Sequence, residues 1–176
     1  MKNIIVTGAS RGIGYFTALQ FAKEGHQVLA LARSKDKLEA LKAEKKANGN
    51  IQTLALDLSS DYEVEQITSV FSQVDILINN AGVGITGPLE EIPIEQAKAH
   101  FDTNFFGPLQ VINSVLPFMR KQKSGLIINI TSIAAHMGLP FRGLYSASKG
   151  ALAKVTESYR MELKQHHIKM VNLAPG

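Results

Sequence analysis

The chain has no cysteine. Disulfides, thiolate metal sites and cysteine nucleophiles are therefore excluded, and the redox compartment stays open. It also has no apolar run of the roughly 18–20 residues that a bilayer-spanning helix needs. The first residues, Met1-Lys2-Asn3-Ile4-Ile5-Val6, form an apolar run too short for a signal peptide, so a cytoplasmic location is expected. There is no internal repeat, low-complexity segment or domain linker. Nor is there a strong basic patch. The net charge of +4 comes from lysines spread along the chain, and only Lys42 to Lys46 is dense. That stretch includes Glu44 and follows a helical pattern, so it reads as a solvated face rather than a nucleic-acid surface. With 176 residues, 45% of them hydrophobic and 19% charged, one soluble domain with a real core is expected.

What is present is an alternation. Short runs rich in Ile, Val and Leu occur at Ile4–Val6, Val28–Ala32, Ile51–Leu56, Ile76–Ile78, Leu126–Ile128 and Met170–Leu173. Most are continuously apolar, which suits strands buried on both faces. Helical patterns separate them, near Gly12–Glu24, Lys35–Ala47, Asp61–Phe71, Ile94–Arg120 and Tyr145–His166. The order predicts an α/β fold, a doubly wound parallel sheet with right-handed crossovers. Gly25 and Asn48-Gly49 stand where helices would close in a left-handed conformation. Pro108 and Pro117 fall inside the fourth helical stretch and predict that it is kinked or split.

After the first strand comes Thr7-Gly8-Ala9-Ser10-Arg11-Gly12-Ile13-Gly14. Glycines at such a strand-to-helix turn let backbone N–H groups approach a pyrophosphate at a helix N-terminus, although a purely structural turn uses the same residues. Asn79-Asn80 follows the fourth strand, where a simple turn is the alternative reading. Ser132 follows the fifth strand, at the edge where open α/β sheets bind ligands, and a turn cap is its ordinary occupation. Tyr145 and Lys149 are four residues apart, so in a helix they share a face. A nearby ammonium favours phenolate and lowers a tyrosine pKa from about 10, towards acid–base work near neutral pH.

Taken together, Gly8 to Gly14, Asn79-Asn80-Ala81-Gly82, Asn104 in Thr103-Asn104-Phe105-Phe106-Gly107, Ser132 with Tyr145 and Lys149, and Pro175-Gly176 resemble the short-chain dehydrogenase/reductase family, in its shorter, non-extended branch. The resemblance spans the whole chain and implies a Rossmann-type fold and hydride transfer between a nicotinamide cofactor and a carbonyl or alcohol. It implies that Tyr145 is the general acid or base and that Ser132 hydrogen-bonds the substrate oxygen. Lys149 would hold the nicotinamide ribose and bias Tyr145 towards phenolate, and Asn104 would fix a water in the proton relay. Gly8, Ser10, Arg11, Gly12, Ile13 and Gly14 would hold the pyrophosphate side. Asp57 and Leu58 would border the adenine, Asn80, Ala81 and Gly82 the adenosine, and Pro175 and Gly176 the nicotinamide. A homodimer or homotetramer is implied, its Ile94–Arg120 and Tyr145–His166 helices pairing across a two-fold axis.

Cofactor choice turns on the second strand, which ends Leu31-Ala32-Arg33-Ser34 without the acid that would bind the ribose hydroxyls of NAD. Arg33 and Arg11 could instead bind a 2′-phosphate, so NADP(H) is expected over NAD(H); ordinary surface charge is the alternative for both. Ile133, Met137, Leu139 and Phe141 predict an apolar pocket wall and a hydrophobic small-molecule substrate. Gly87-Pro88-Leu89-Glu90 and Met137 to Phe141 are similar to hydroxysteroid- and retinol-dehydrogenase-like members. No metal is expected: His166 and His167, read as helical, point apart, and Glu90-Glu91 and His136 read as solvated or loop positions. Family members continue past the Pro-Gly of the sixth strand into a substrate-covering loop, a helix and a seventh strand. The chain ends at Gly176, so a C-terminally incomplete domain is expected, with a dinucleotide-binding or cofactor-sensing module of little turnover as the second reading.

Overall fold

The computed structural model describes residues 1–60 and 65–176. Six parallel strands form one sheet: β1 (Asn3–Thr7), β2 (Gln27–Ala32), β3 (Ile51–Ala55), β4 (Ile76–Asn79), β5 (Gly125–Ile130) and β6 (Ile168–Leu173). Their spatial order is β3-β2-β1-β4-β5-β6. Helices α1 (Gly12–Lys23), α2 (Lys35–Lys42), α3 (Glu65–Thr68), α4 (Ile94–Phe101), α5 (Gly107–Gln122) and α6 (Gly143–Glu162) join them. The doubly wound architecture expected from the alternation is thus present. The order in which strands are added reverses between β1 and β4, which places a crevice at their C-terminal ends.

Successive strand residues face opposite sides of the sheet, so each central strand feeds two cores. Ile5, Leu29, Leu77 and Ile127 pack with Val111, Ile112, Val115 and Met119 of α5 on one face. Ile4, Val6, Val28, Ala30, Ile76 and Ile78 pack with Ala18, Leu19 and Ala22 of α1 and with Leu38 and Leu41 of α2 on the other. Full burial of one such side chain contributes about 1.5–3 kcal/mol. The uninterrupted apolar pattern holds for β1, β2 and β4. The outer strands β3 and β6 are only half buried, because each has one neighbour and incomplete helical cover.

Several predicted helices prove shorter. The second stops at Lys42 and resumes as a 3-10 turn, Lys45–Ala47, before the left-handed pair Asn48 and Gly49. The expected start of the third helix, residues 61–64, lies outside the described residues. The last predicted helix ends at Glu162. His166 closes a 3-10 turn and His167 is left-handed, so these histidines are not on a helix face as the sequence suggested. The stretch with two prolines is split. Between α4 and α5, residues Asp102–Phe106 form a π-helical segment in which the Gly107 N–H reaches the Asp102 carbonyl. Pro108, in the first turn of α5, lacks the N–H that an α-helix would aim at the Asn104 carbonyl.

Candidate active site

The crevice begins with two packed turns. Gly8 has a φ of 67°, and a Cβ there would lie 2.8 Å from both the Ala81 Cα and the Asn80 Nδ2. A Cβ on Gly14 would run into the Asn80 amide and the Gly8 carbonyl. Only glycine lets the β1–α1 turn close on the turn after β4. That junction is hydrogen-bonded. The Thr7 hydroxyl accepts the N–H groups of Asn80 and Ala81, each at 3.0 Å, and Asn80 Nδ2 donates to the carbonyls of Thr7 and Gly8 at 3.1 and 3.2 Å. Asn80 is therefore a clasp on the glycine turn as well as a wall residue, and Thr7, assigned no role of its own from the sequence, is its counterpart. Behind it, Asn79 donates to Asn129 Oδ1 at 2.9 Å across the β4–β5 register.

A cavity of about 660 Å³ opens over this junction. Among the residues lining it are Gly8, Ser10, Arg11, Gly12, Ile13, Arg33, Asp57, Leu58, Asn80, Ala81 and Gly82, which the structure thus brings together around one space. Gly14 is buried behind them. Helix α1 starts at the cavity with no side-chain cap and no acid in its first turn, so its N-terminal N–H groups and positive end are available to an anion. At the far end stand Arg33 and Lys37, and the latter, four residues beyond Arg33 at the start of α2, was not singled out from the sequence. Among the described residues Asp57 is the only acid in this lining, with its carboxylate 3.9 Å from the Arg33 guanidinium. Burial pushes the Asp57 carboxyl upward, but the Ser59 N–H and hydroxyl together with Arg33 outweigh it and hold the group below its ordinary value. The dimensions, the bare helix end and the cations fit a dinucleotide.

A second cavity, of about 320 Å³, shares Ile13, Asn80, Gly82 and Val83 with the first and is lined by Tyr145, Lys149, Thr131, Arg142 and Pro175. Tyr145 sits in the first turn of α6. Lys149 is 4% exposed, and burial lowers its pKa from 10.5 to about 8. The sequence anticipated an ammonium against the phenol. Instead Lys149 Nζ donates to the Ile130 carbonyl at 2.8 Å, and no hydrogen bond links it to Tyr145 among the described residues. A desolvated ammonium needs a close acceptor, and the last residue of β5 supplies one.

Ser132, Asn104 and Gly176 line neither cavity. Ser132 is 9% exposed and its Oγ accepts the Ala134 N–H at 3.2 Å, capping the turn Ile133–His136. Asn104 is fully buried and brackets Val83: Oδ1 accepts the Val83 N–H at 2.8 Å and Nδ2 donates to the Val83 carbonyl at 2.9 Å. A Cβ on Gly82 would lie 3.3 Å from both Asn104 Oδ1 and Lys149 Nζ, so the two side chains converge on that glycine. His100, four residues before Asn104, joins the cluster from α4, with Nε2 3.1 Å from Ser148 Oγ and 3.0 Å from Asn104 Nδ2. The i, i+4 spacing of His100 and Asn104 was visible in the sequence; the approach of Ser148 was not.

Of the predicted apolar wall, Ile133, Met137 and Phe141 are exposed. Phe141 has a φ of 61° in a turn closed by the Arg142 N–H on the Leu139 carbonyl, and its own carbonyl accepts the Gly87 N–H at 2.9 Å. His136, Glu90 and Glu91 are exposed as well. No helix among the described residues is long and apolar enough to cross a membrane.

A family profile described as short chain dehydrogenase matches residues 2–176. The chain is 39% identical over 177 residues to a 3-ketodihydrosphingosine reductase of Bacteroides thetaiotaomicron, covering 98% of this chain and 62% of that protein. It is 39% identical over 181 residues to human retinol dehydrogenase 8, covering 99% and 58%. The chain thus spans about three fifths of the length of these relatives. Among solved structures, a metagenomic short-chain oxidoreductase in complex with NADP superimposes with a TM-score of 0.91 at 33% identity, covering 99% of this chain and 82% of that one. An NAD+-bound xylitol dehydrogenase superimposes with a TM-score of 0.93 at 30% identity, covering 99% and 70%.

Proposed function

The chain belongs to the short-chain dehydrogenase family, and on that footing we propose that it serves an NADP(H)-dependent oxidoreductase that interconverts a carbonyl and an alcohol, with Tyr145 as the general acid or base. The observation that carries this reading is the contiguity of the two cavities, one built around Gly8 and the α1 N-terminus and the other around Tyr145 and Lys149. When bound, a nicotinamide supplies the hydride acceptor or donor. The chain's own residues handle charge and protons. In reduction, negative charge grows on the substrate oxygen, and Tyr145 gives it a proton while Ser132 supplies a second hydrogen bond. In oxidation Tyr145 removes the alcohol proton. Lys149, cationic below its pKa of about 8, would hold the ribose of a bound nicotinamide cofactor and bring positive charge to the cavity that Tyr145 lines.

The preference for NADP(H) rests on the cations at the far end of the larger cavity. Arg33 is 63% exposed and its Asp57 contact is long, so a 2′-phosphate can recruit it, with Arg11 and Lys37 lining the same space. The apolar side chains around the smaller cavity favour a hydrophobic substrate. Relatives named for reduction of a sphingoid ketone and for oxidation of retinol have substrates of that character. We also propose a cytoplasmic homo-oligomer formed through α4, α5 and α6, where the exposed Phe106 and Met161 would gain cover. Light scattering that shows only monomer would refute the assembly.

The test combines binding and turnover. The expected result is tighter binding of NADPH than NADH, with at least a tenfold rise in the NADPH Kd in Arg33→Ala or Arg11→Ala (about 1.4 kcal/mol or more). Tyr145→Phe is expected to lower kcat by about 10²–10⁴-fold on a responsive carbonyl. Full activity in Tyr145→Phe would sink the acid–base assignment, and equal affinity for the two cofactors would sink the preference. Binding without turnover across a broad carbonyl panel would favour a dinucleotide-binding module.

A further inference from the structure

His100 is a titratable side chain that the proposed chemistry does not use, yet it is 3% exposed and lies directly behind the reaction centre. Its ring centroid is 6.3 Å from that of Tyr145. Its Nε2 meets Ser148 Oγ at 3.1 Å and Asn104 Nδ2 at 3.0 Å, and its Nδ1 is buried without a hydrogen-bond partner. Each contact continues to a working part. Asn104 grips both backbone groups of Val83, a residue in the shared wall of the two cavities. The Ser148 hydroxyl donates to the Tyr145 carbonyl at 2.9 Å, within the first turns of α6. One imidazole thereby ties α4, the loop after β4 and the Tyr145 turn to a common point.

The ring can do this only while neutral. A second proton would create a buried N–H at Nδ1 with no acceptor, or oppose the Asn104 amide donor at Nε2. It would also add a like charge near Lys149. The titratable groups facing His100 are Lys149 and Tyr145, both from α6, and its other neighbours, Asn104, Ser148 and the Phe101 ring, are uncharged. Among the described residues no carboxylate is placed to compensate a cation there.

We propose that His100 is a positioning residue, an imidazole that holds Asn104 and Ser148 and through them sets the Val83 backbone and the Tyr145 turn. Its kinetic consequence rests on the oxidoreductase reading, whereas its structural consequence does not.

The test compares His100→Leu, which fills the space without hydrogen bonds, with His100→Gln, whose amide restores a polar group near the Nε2 position. In the active protein, His100→Leu is expected to lower kcat by about 10- to 100-fold. The KM for NADPH should stay within about twofold, and His100→Gln should recover most of the loss. Independently of turnover, hydrogen exchange at the Val83 amide should be at least about tenfold faster in His100→Leu and near the unaltered rate in His100→Gln, with core amides such as Ile78 protected in both. Unaltered Val83 exchange and kcat in a folded His100→Leu would overturn the proposal, as would equal damage from leucine and glutamine. If neither variant folds, imidazole NMR of the unaltered protein decides: burial and the nearby Lys149 charge should hold the His100 titration below the ordinary imidazole value of about 6.5, and a titration at or above that value would overturn the proposal. Absence of turnover in the unaltered protein would count against the oxidoreductase reading and leave the exchange and NMR results to judge His100.

Discussion

Lys149 shows how a single residue can oppose stability and serve a site. Its pKa of about 8 against an ordinary 10.5 corresponds to about 3 kcal/mol of disfavoured charge. Because the folded value is the lower one, the unfolded chain binds more protons between pH 8 and pH 10.5, and stability rises with pH across that window. Below pH 8 both states are charged and the full penalty applies. Lys149→Met is therefore expected to raise the unfolding free energy at pH 7 by about 1–3 kcal/mol, after the lost bond to the Ile130 carbonyl is counted, while turnover disappears. Urea unfolding from pH 7 to 10 checks this: the advantage should shrink above pH 8, and a less stable variant at pH 7 would contradict it. The i, i+4 spacing of Tyr145 and Lys149 was legible in the sequence, because helical geometry is local. The ammonium's actual partner was not, because Ile130 reaches it from another element.

At the level of elements, a polar chain crosses an otherwise apolar interior. Asn79 of β4 donates to Asn129 of β5, Asn129 donates to Thr156 of α6 at 2.8 Å, and the Thr156 hydroxyl donates to the Leu152 carbonyl at 2.6 Å. Thr156→Val keeps the volume but strands the Asn129 amide, at a cost of about 1–3 kcal/mol. Thr156→Ser should retain most of the stability. Denaturant midpoints for the two variants distinguish this from simple packing, which would make valine harmless. The strands themselves were easy to read, since continuous Ile, Val and Leu runs mark positions buried on both faces. Element ends were harder. Lys45–Ala47 and Lys164–His166 became 3-10 turns, and Pro108 left a π-helical segment at Asn104 rather than a simple kink. The final turns depend on which backbone groups find partners elsewhere in the fold.

The whole molecule places a switch point between β1 and β4 and lines it with cations on one side and Tyr145 on the other. A ligand bound only by the folded chain stabilises it by about 2.7 kcal/mol at 100 times its Kd. For a chain of this size, NADPH is expected to raise Tm by about 5–10 °C at that concentration. NADH at the same concentration should give a clearly smaller shift, and equal shifts would argue against recognition of the 2′-phosphate. The sequence by itself determined the strand–helix alternation, the glycine turn and the Tyr–Lys spacing, because all three are written in residues close together along the chain. Tertiary structure alone decided that Asn80 clasps the glycine turn, that the Ile130 carbonyl takes the Lys149 ammonium and that His100 stands behind Tyr145. Each of these contacts joins separate elements, and their meeting depends on sheet order and helix packing that no local pattern encodes.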